Sequence, residues 1–377
     1  GAHVTGVDFS AEAITRARAL ATTFARRRAI ASGKFAAAGS MFFTRAGYEQ
    51  ASSSAVARHR AKRFAGRPSV YDLCCGIGSD AVALASHARE VRGIDVDPDA
   101  LACAVLNARL SGVSDRVAFE AADALALDLG GADAAFADPS RRRAGARVRD
   151  VDAYEPPLTA ILRRARECGG GALCVKAAPG IDAAAPAIRE ALAGLALEVE
   201  WISERGICKE AALWCGALAR TDGARRATVI DRDGVHVLDG DPAAAAGASS
   251  IRAVLGEVDP AVIRAGLIGT MCLADGSRVI DDSVAYVTAD APPRSAFARW
   301  YRVLDVMRFG VKRLRSYVRE RGVGELVVKT RAFPLRPEEV VRLLKPRGAE
   351  RAVLVCTTLR GKKIAIVCEP VDRAPPE

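Results

Sequence analysis

The sequence predicts an α/β protein built on a parallel sheet, and three observations carry that expectation. Residues 70–75, Val-Tyr-Asp-Leu-Cys-Cys, form a short apolar run that breaks into Gly76-Ile77-Gly78 and then into an Ala-rich stretch at 81–85. That is the pattern of strand, tight turn and helix. Strand and helix patterns then alternate regularly from Pro68 onward, as right-handed crossovers between parallel strands require. Finally, Asp72, Asp95, Asp123 and Asp138 fall at or just past the carboxyl ends of four successive strands, where open parallel sheets bind ligands.

The glycine turn reads as a nucleotide-cofactor turn. Gly76 and Gly78 lack the Cβ atoms that would hold a ligand off the backbone, and the following helix offers free N–H groups and the positive end of its dipole. The glycines alone do not choose the cofactor, because Gly76-x-Gly78-x-x-Ala81 also fits the dinucleotide pattern. Asp72, four residues ahead of Gly76, shifts the choice. A fixed negative charge there repels a pyrophosphate and attracts an ammonium such as that of S-adenosylmethionine (SAM). The strand at 90–95 ends on Asp95, suited to accept from two ribose hydroxyls, a role an acid also has in dinucleotide enzymes. The strand at 116–120 leads to Asp123, an acceptor for an adenine amino group, and that at 133–137 runs into Asp138-Pro139-Ser140-Arg141-Arg142.

The order Asp-x-Cys-Cys-Gly-x-Gly at 72–78, Gly-Ile-Asp-Val-Asp-Pro at 93–98, Ala122-Asp123 and Asp138-Pro139-Ser140 resembles the class I SAM-dependent methyltransferases. Within that class it is similar to the RNA branch that includes the trimethylguanosine synthases. It looks closest to bacterial methyltransferase-related proteins that carry Asp-Pro-Ser-Arg-Arg and end in a THUMP-like domain. The resemblance covers roughly residues 40–368 and implies a Rossmann-like, seven-stranded methyltransferase sheet with an N-terminal helical segment and a C-terminal α+β THUMP-like domain. It also implies a SAM site made by Asp72, Cys74, Gly76, Gly78, Asp95 and Asp123. One departure matters: amine methyltransferases usually continue the fourth motif with Pro-Pro and an aromatic ring, where this chain has Ser140 and Arg141.

The expected division is a helical segment at 1–65, the methyltransferase domain at 66–220, a connecting hairpin and linker region at 221–295 and a basic THUMP-like domain at 296–377. At 377 residues the chain is long enough for two or three domains. No apolar run reaches membrane-span length without charges, so no membrane partner is expected. Ten cysteines with no Cys-x-x-Cys pair, and only four histidines, read as buried thiols in a reducing cytoplasm and not as a metal site. No secretion signal is read in the first residues, and the chain opens on Gly1 rather than Met, as a fragment would. The formal charge is +10, and residues 300–377 hold 18 Lys and Arg against 9 Asp and Glu, a balance of +9. A cationic tail suggests a polyanion such as RNA; a solvated basic face is the plainer alternative.

In chain order, residues 1–10 read as a short strand ending near Asp8, similar to the second strand of another methyltransferase, and 11–30 as a helix. Residues 41–52 interleave Phe42, Phe43 and Tyr48 with Arg45, Glu49 and Gln50. This fits either stacking on a base, with Tyr48, Glu49 and Gln50 as substrate contacts, or packing against the catalytic domain. Ser52 to Ser54 can cap a helix bearing Arg58, Arg60, Lys62 and Arg63. Further helices are expected at 79–87, 98–110, 156–168 and 183–193, and strands at 172–176, 197–202 and 210–218, the last inserted antiparallel. Lys209 and Glu210 read as a surface pair. A hairpin at 227–238 and a small-residue linker at 243–248 precede strands and helices from 296 onward. Arg331, Lys345, Arg347, Arg360, Lys362 and Lys363 are candidate phosphate contacts there.

Methyl transfer from SAM is an in-line displacement, so positioning dominates. Asp138 is expected to orient the acceptor through a hydrogen bond, with Pro139 fixing its backbone, Ser140 adding a carbonyl or hydroxyl, and Arg141 and Arg142 gripping a substrate phosphate. An exposed basic loop at 141–143 is the alternative. The expected function is a methyltransferase acting on an RNA base of tRNA or rRNA, with a non-RNA acceptor as an alternative. Two other classes remain: a non-catalytic SAM- or RNA-binding protein, which the altered fourth motif favours, and a dinucleotide oxidoreductase, which Asp72 opposes.

Overall fold

A computed structural model describes Thr15, Ile30 and residues 32–143, 146–147 and 151–371, with side chains for all of these except 142, 143, 146, 147 and 151. The expected strand with Asp8 and nearly all of the helix at 11–30 lie outside the described residues. The chain divides into two compact units, residues 1–204 with 208–224, and 205–207 with 225–377.

In the first unit the order is α1 (Arg45–Gln50), α2 (Ser54–Ala61), β1 (Ser69–Leu73), α3 (Ser79–Leu84), β2 (Glu90–Asp95), α4 (Pro98–Leu110), β3 (Val117–Ala121) and β4 (Ala134–Ala137). A two-residue pair, β5 (Arg142–Arg143) and β6 (Ala146–Arg147), is followed by α5 (Leu158–Arg163), β7 (Leu173–Ala177), α6 (Pro186–Leu192), β8 (Leu197–Glu204) and β9 (Ile207–Cys215). The seven long strands run β8-β9-β7-β4-β1-β2-β3. β7, β4, β1, β2 and β3 are mutually parallel, and β9 inserts antiparallel beside β7. Strand order therefore reverses between β1 and β4, which opens a crevice at their carboxyl ends.

Local chemistry sets these elements. Asp97 caps α4 by accepting from the Asp99 N–H, with Pro98 at the first helical position. Ser53 caps α2 through the Val56 N–H. The helix expected over 156–168 is α5 only from Leu158 to Arg163 and continues as a 3₁₀ turn, Arg164–Glu167, in which the Arg164 guanidinium donates to the carbonyls of Ala124 and Leu127. Glycine has steric reasons at two core positions: a Cβ on Gly93 would meet the Phe119 ring at 2.5 Å, and one on Gly78 would meet the Ala104 Cβ at 2.9 Å and Phe119 at 3.4 Å.

The polar faces of α2 and β8 defeat a surface reading. Glu198, Glu200 and Glu210 are all buried. Arg63 pairs with Glu198 at 2.7 Å, and Glu200 takes His59 at 2.7 Å and the Trp214 indole at 2.9 Å. Glu210 forms an ion pair with the buried Arg60, so it is not the surface partner of Lys209. Arg60 of α2 and Arg63 just after it turn inward because β8 and β9 present carboxylates there, while Arg58 and Lys62 stay exposed.

The second unit contains a hairpin of β10 (Arg225–Asp231) and β11 (Gly234–Gly240), then β12 (Val254–Val258), α7 (Pro260–Ala265), α8 (Ile268–Asp275), β13 (Arg278–Asp281), β14 (Val284–Ala289) and β15 (Ala298–Arg308). It ends with α9 (Val311–Glu320), β16 (Val323–Arg331), α10 (Pro337–Leu344), β17 (Glu350–Leu359) and β18 (Lys362–Pro370). A seven-stranded sheet runs β13-β14-β12-β15-β18-β17-β16. Leu314, Val318, Val340 and Leu344 of α9 and α10 cover one face, and Leu255, Tyr286, Tyr301 and Val355 form a second cluster. Residues 254–289, read from sequence as part of a connecting region, thus supply three strands of the same sheet as the basic C-terminal residues. No helix among the described residues is long and apolar enough to cross a membrane.

Candidate functional site: an acidic crevice closed by buried cations

Asp72 is the penultimate residue of β1 and is fully buried, its two neighbours in the sheet being Phe136 and Gly93. Neither of its carboxylate oxygens has a hydrogen-bond partner among the described residues. Burial raises its pKa well above the ordinary carboxylate value, and the nearby Asp80 and Asp138 raise it further. An orphaned buried carboxyl costs stability unless a ligand answers it.

The turn that follows is strained in the way a close ligand approach needs. Cys74, Gly76 and Gly78 have φ of +64°, +53° and +78°. A Cβ on Gly76 would meet nothing within 4 Å, whereas one on Gly78 would strike α4. The first glycine thus faces open space and the second faces packing. The Gly76 N–H donates to Asp95 Oδ2 at 2.7 Å, and the Asp97 N–H to Asp95 Oδ1 at 2.9 Å. Each of those oxygens retains a second lone pair for a ligand hydroxyl. Asp123 is exposed, and its Oδ1 accepts the Leu125 N–H at 2.8 Å. The Cys74 thiol is pushed up by burial, then by Asp95, so it is a neutral group at the crevice wall.

Asp138 follows β4 directly, and its N–H donates to the Leu73 carbonyl at 3.2 Å, which holds it beside β1. Its Oδ2 accepts from Lys176 Nζ at the end of β7, and its Oδ1 takes no hydrogen bond from the described residues. Pro139 is buried. Ser140 exchanges two backbone hydrogen bonds with Glu155, at 2.8 and 2.9 Å, so the carbonyl considered for acceptor contact is already engaged. Arg141 is half-buried and lowers the Asp138 pKa. Arg142 joins β5, and its side chain lies outside the described residues.

Around this point the structure adds residues that the sequence reading missed. Arg60 pairs with Asp80 as well as Glu210, and its guanidinium lies 4.8 Å from the Phe136 ring centroid. Lys34 Nζ donates to the Tyr48 carbonyl at 2.6 Å; burial, with Lys176 adding to it, brings it down to about 8. The signal for Lys176 was present: it is a single charge in an otherwise apolar strand, a residue rarely buried without a partner.

Of the proposed substrate contacts, Tyr48 is half-buried against Phe35 and Phe43, with ring centroids 6.5 and 6.2 Å away. Glu49 and Gln50 are exposed beside it. Asn107 ties this segment to α4 by bonding Phe42 N–H, Phe42 carbonyl and Ile77 carbonyl at 2.8 to 3.0 Å. In the second unit Arg331 is turned inward, donating to the carbonyls of Ala285 and Val258, which removes it from the candidate phosphate contacts. Lys345, Arg347, Arg360, Lys362 and Lys363 are exposed. No group of three or more His, Cys, Asp or Glu that could hold a metal ion occurs among the described residues.

This geometry has known counterparts. The chain is 33% identical over 360 residues, 93% of its length and 96% of the other's, to an uncharacterized S-adenosylmethionine-dependent methyltransferase of Mycobacterium tuberculosis. The chain belongs to the SAM-dependent methyltransferases. Residues 67–153 match the family described as RNA cap guanine-N2 methyltransferase, and 298–370 match the THUMP domain-like family. A stretch of 62 residues, 16% of this chain and 12% of the other, is 50% identical to an uncharacterized RNA methyltransferase of Geobacter sulfurreducens. A crystal structure of a candidate methyltransferase from Porphyromonas gingivalis W83 shares the fold, with a TM-score of 0.70 at 21% identity over 88% of this chain and 84% of that one. The methyltransferase therefore uses SAM. The orphaned Asp72 carboxyl and the open space at Gly76 fit that cofactor, one by charge and the other by shape.

Proposed function

We propose that this methyltransferase modifies RNA, transferring the SAM methyl group to a base atom that Asp138 orients. The observation that carries the reading is the half-engaged carboxylate of Asp138, with Oδ2 bound to Lys176 and Oδ1 open, just past the end of β4 and in the same crevice as Asp72. When bound, SAM supplies an electrophilic methyl group on its sulfonium. Asp72 would receive its ammonium, Asp95 its ribose hydroxyls and Asp123 its adenine amino group, while Gly76 lets the cofactor lie on the backbone. Asp138 Oδ1 would accept a hydrogen bond from the acceptor's N–H and hold the nitrogen lone pair in line. An acceptor atom fixed at roughly 3 Å from the methyl gains most of the rate that positioning can give. RNA as the acceptor draws support from the family descriptions over 67–153 and 298–370 and from the basic C-terminal residues.

The test is transfer of radiolabelled methyl from SAM into total bacterial RNA, with a protein extract alongside, for the wild type and Asp138→Asn. Asparagine is chosen over alanine because it leaves Lys176 a hydrogen-bond acceptor. Label in RNA is expected, falling at least about 100-fold in the variant with SAM affinity nearly unchanged. Label in protein alone would reject RNA, and lost SAM binding in the variant would move Asp138 into the cofactor site.

A further inference from the structure

We infer that Lys176 is a positioning residue of the transfer site: it holds Asp138 as an oriented carboxylate and fastens the α1 segment to the same point. The inference rests on the role given to Asp138 above. An ammonium has three protons, and Lys176 has three acceptors for them: Asp138 Oδ2, Ser52 Oγ at 3.1 Å and the Gln50 carbonyl at 3.5 Å. The side chain is only 4% exposed, so this cation has little water to fall back on. Its acceptors come from two separated parts of the chain, the end of β4 and the turn between α1 and α2. Ser52 Oγ in turn accepts from Arg60 at 2.7 Å, so both of its lone pairs serve buried cations. One lysine thus connects the acceptor-orienting carboxylate, the wall made by residues 48–52 and the buried Arg60 pairs.

The charges around Asp138 show why a cation is needed. Asp72 from β1 and Asp80 from α3 are acidic neighbours, Arg141 is a positive one on the loop, and Lys34 acts from the segment before α1. Burial is the largest influence and raises the Asp138 pKa; Lys176 is the foremost influence opposing it. Without that cation, a carboxyl beside two other acids in a dry crevice takes up a proton more readily, and a neutral acid accepts from the acceptor's N–H far more weakly than a carboxylate does. The remaining two hydrogen bonds of Lys176 have a mechanical consequence. They set the distance between the Gln50–Ser52 turn and Asp138, so the wall and the orienting group move together or not at all.

The experiment compares wild type with Lys176→Met, Lys176→Gln and Lys176→Arg. Glutamine keeps hydrogen-bond donors at the site and guards against a methionine variant that fails to fold; arginine keeps the charge. The Asp138 carboxyl is followed by carbon-13 NMR of protein labelled at the aspartate side-chain carbon, assigned by its loss in Asp138→Asn, as pH is varied. The midpoint is expected to rise by about one pH unit or more in the methionine and glutamine variants and to stay near wild type in the arginine variant. Hydrogen exchange of the α1 amides, Arg45–Gln50, is expected to quicken in the methionine variant while exchange in α9 and α10 is unchanged. Where the wild type labels RNA, the acid limb of its rate should move with the NMR midpoint, so that activity lost at pH 7 returns on raising the pH, with SAM affinity held. An unmoved midpoint, or an arginine variant that shifts as far as methionine, overturns the inference. If the wild type labels no RNA, the function proposed above fails, and the carboxyl titration still decides the role of Lys176.

Discussion

The two units handle charge in opposite ways. In the first, Arg60, Lys176, Asp72, Asp80, Glu198, Glu200 and Glu210 are all buried, and all but Asp72 sit in ion pairs: Arg60 with Asp80 and Glu210, Lys176 with Asp138, Arg63 with Glu198 and His59 with Glu200. In the second, the charge is mostly on the outside: α9 buries only Leu314 and Val318, and Lys345, Arg347, Lys362 and Lys363 face solvent. Buried ion pairs are often replaceable by apolar side chains with no loss of stability, so the pairs on Asp138 and Asp80 beside the cofactor turn point to chemistry more than to folding. Exposed cations cost little to keep and act at a distance on polyanions. The difference separates residues that place atoms from residues that attract a partner.

Substitutions can break this contrast, and the largest effect should come from Arg60. Arg60→Met leaves Asp80 and Glu210 buried without their shared cation and should destabilise the fold by about 3–5 kcal/mol, read from denaturant midpoints. Asp72→Asn should do the reverse to the cofactor-free protein while weakening SAM binding by about 2 kcal/mol, the worth of a charge-assisted hydrogen bond, measured by calorimetry. Its pH signature has a definite sign. The Asp72 carboxyl titrates higher in the folded protein than in the unfolded chain, so the folded state holds the extra proton and stability falls as pH rises from about 4 upward. The asparagine variant should lose that slope, and an unchanged slope would mean that Asp72 is not the group titrating.

Next in size are the two glycines of the turn. Gly78→Ala combines a left-handed backbone with a 2.9 Å contact on Ala104 and should cost about 2 kcal/mol of stability. Gly76→Ala meets no atom, so it should cost only about 1 kcal/mol, from the backbone alone, yet lose SAM binding. Equal losses of stability would show that both glycines serve packing. The smallest effect belongs to the second unit: Lys362→Glu with Lys363→Glu should leave thermal unfolding within about 0.5 kcal/mol of wild type. If the RNA reading holds, the salt dependence of RNA binding in the same variant should shallow by about one power of salt per lysine.

Much of this was legible in the sequence, for identifiable reasons. The β1 turn and the acids at the ends of β1 to β4 are local patterns: Asp72, Gly76 and Gly78 fall within seven residues, and Asp95 closes the next apolar run. β9 was expected antiparallel and is. What local pattern could not supply was pairing across distance. Lys176 meets Asp138 from 38 residues away and Arg60 meets Glu210 from 150, and nothing in either neighbourhood names the other. Glu198 and Glu200 of β8 are buried because α2 brings His59, and the turn after it Arg63, to them from 141 and 135 residues away. The inward turn of Arg331 escaped for the same reason, since its acceptors lie 46 and 73 residues away.

The Phe119 ring, set between the places where Gly78 and Gly93 would carry side chains, has a consequence for how this chain can drift over time. Gly93 cannot gain a methyl group while the ring keeps its size, and a smaller residue at 119 alone would leave a void under the cofactor turn. Positions 93 and 119 form a lock that single steps cannot open. Substitutions tolerated by this fold should therefore change 93 and 119 as a pair, and a library varying both together should recover folded combinations absent from either one varied alone.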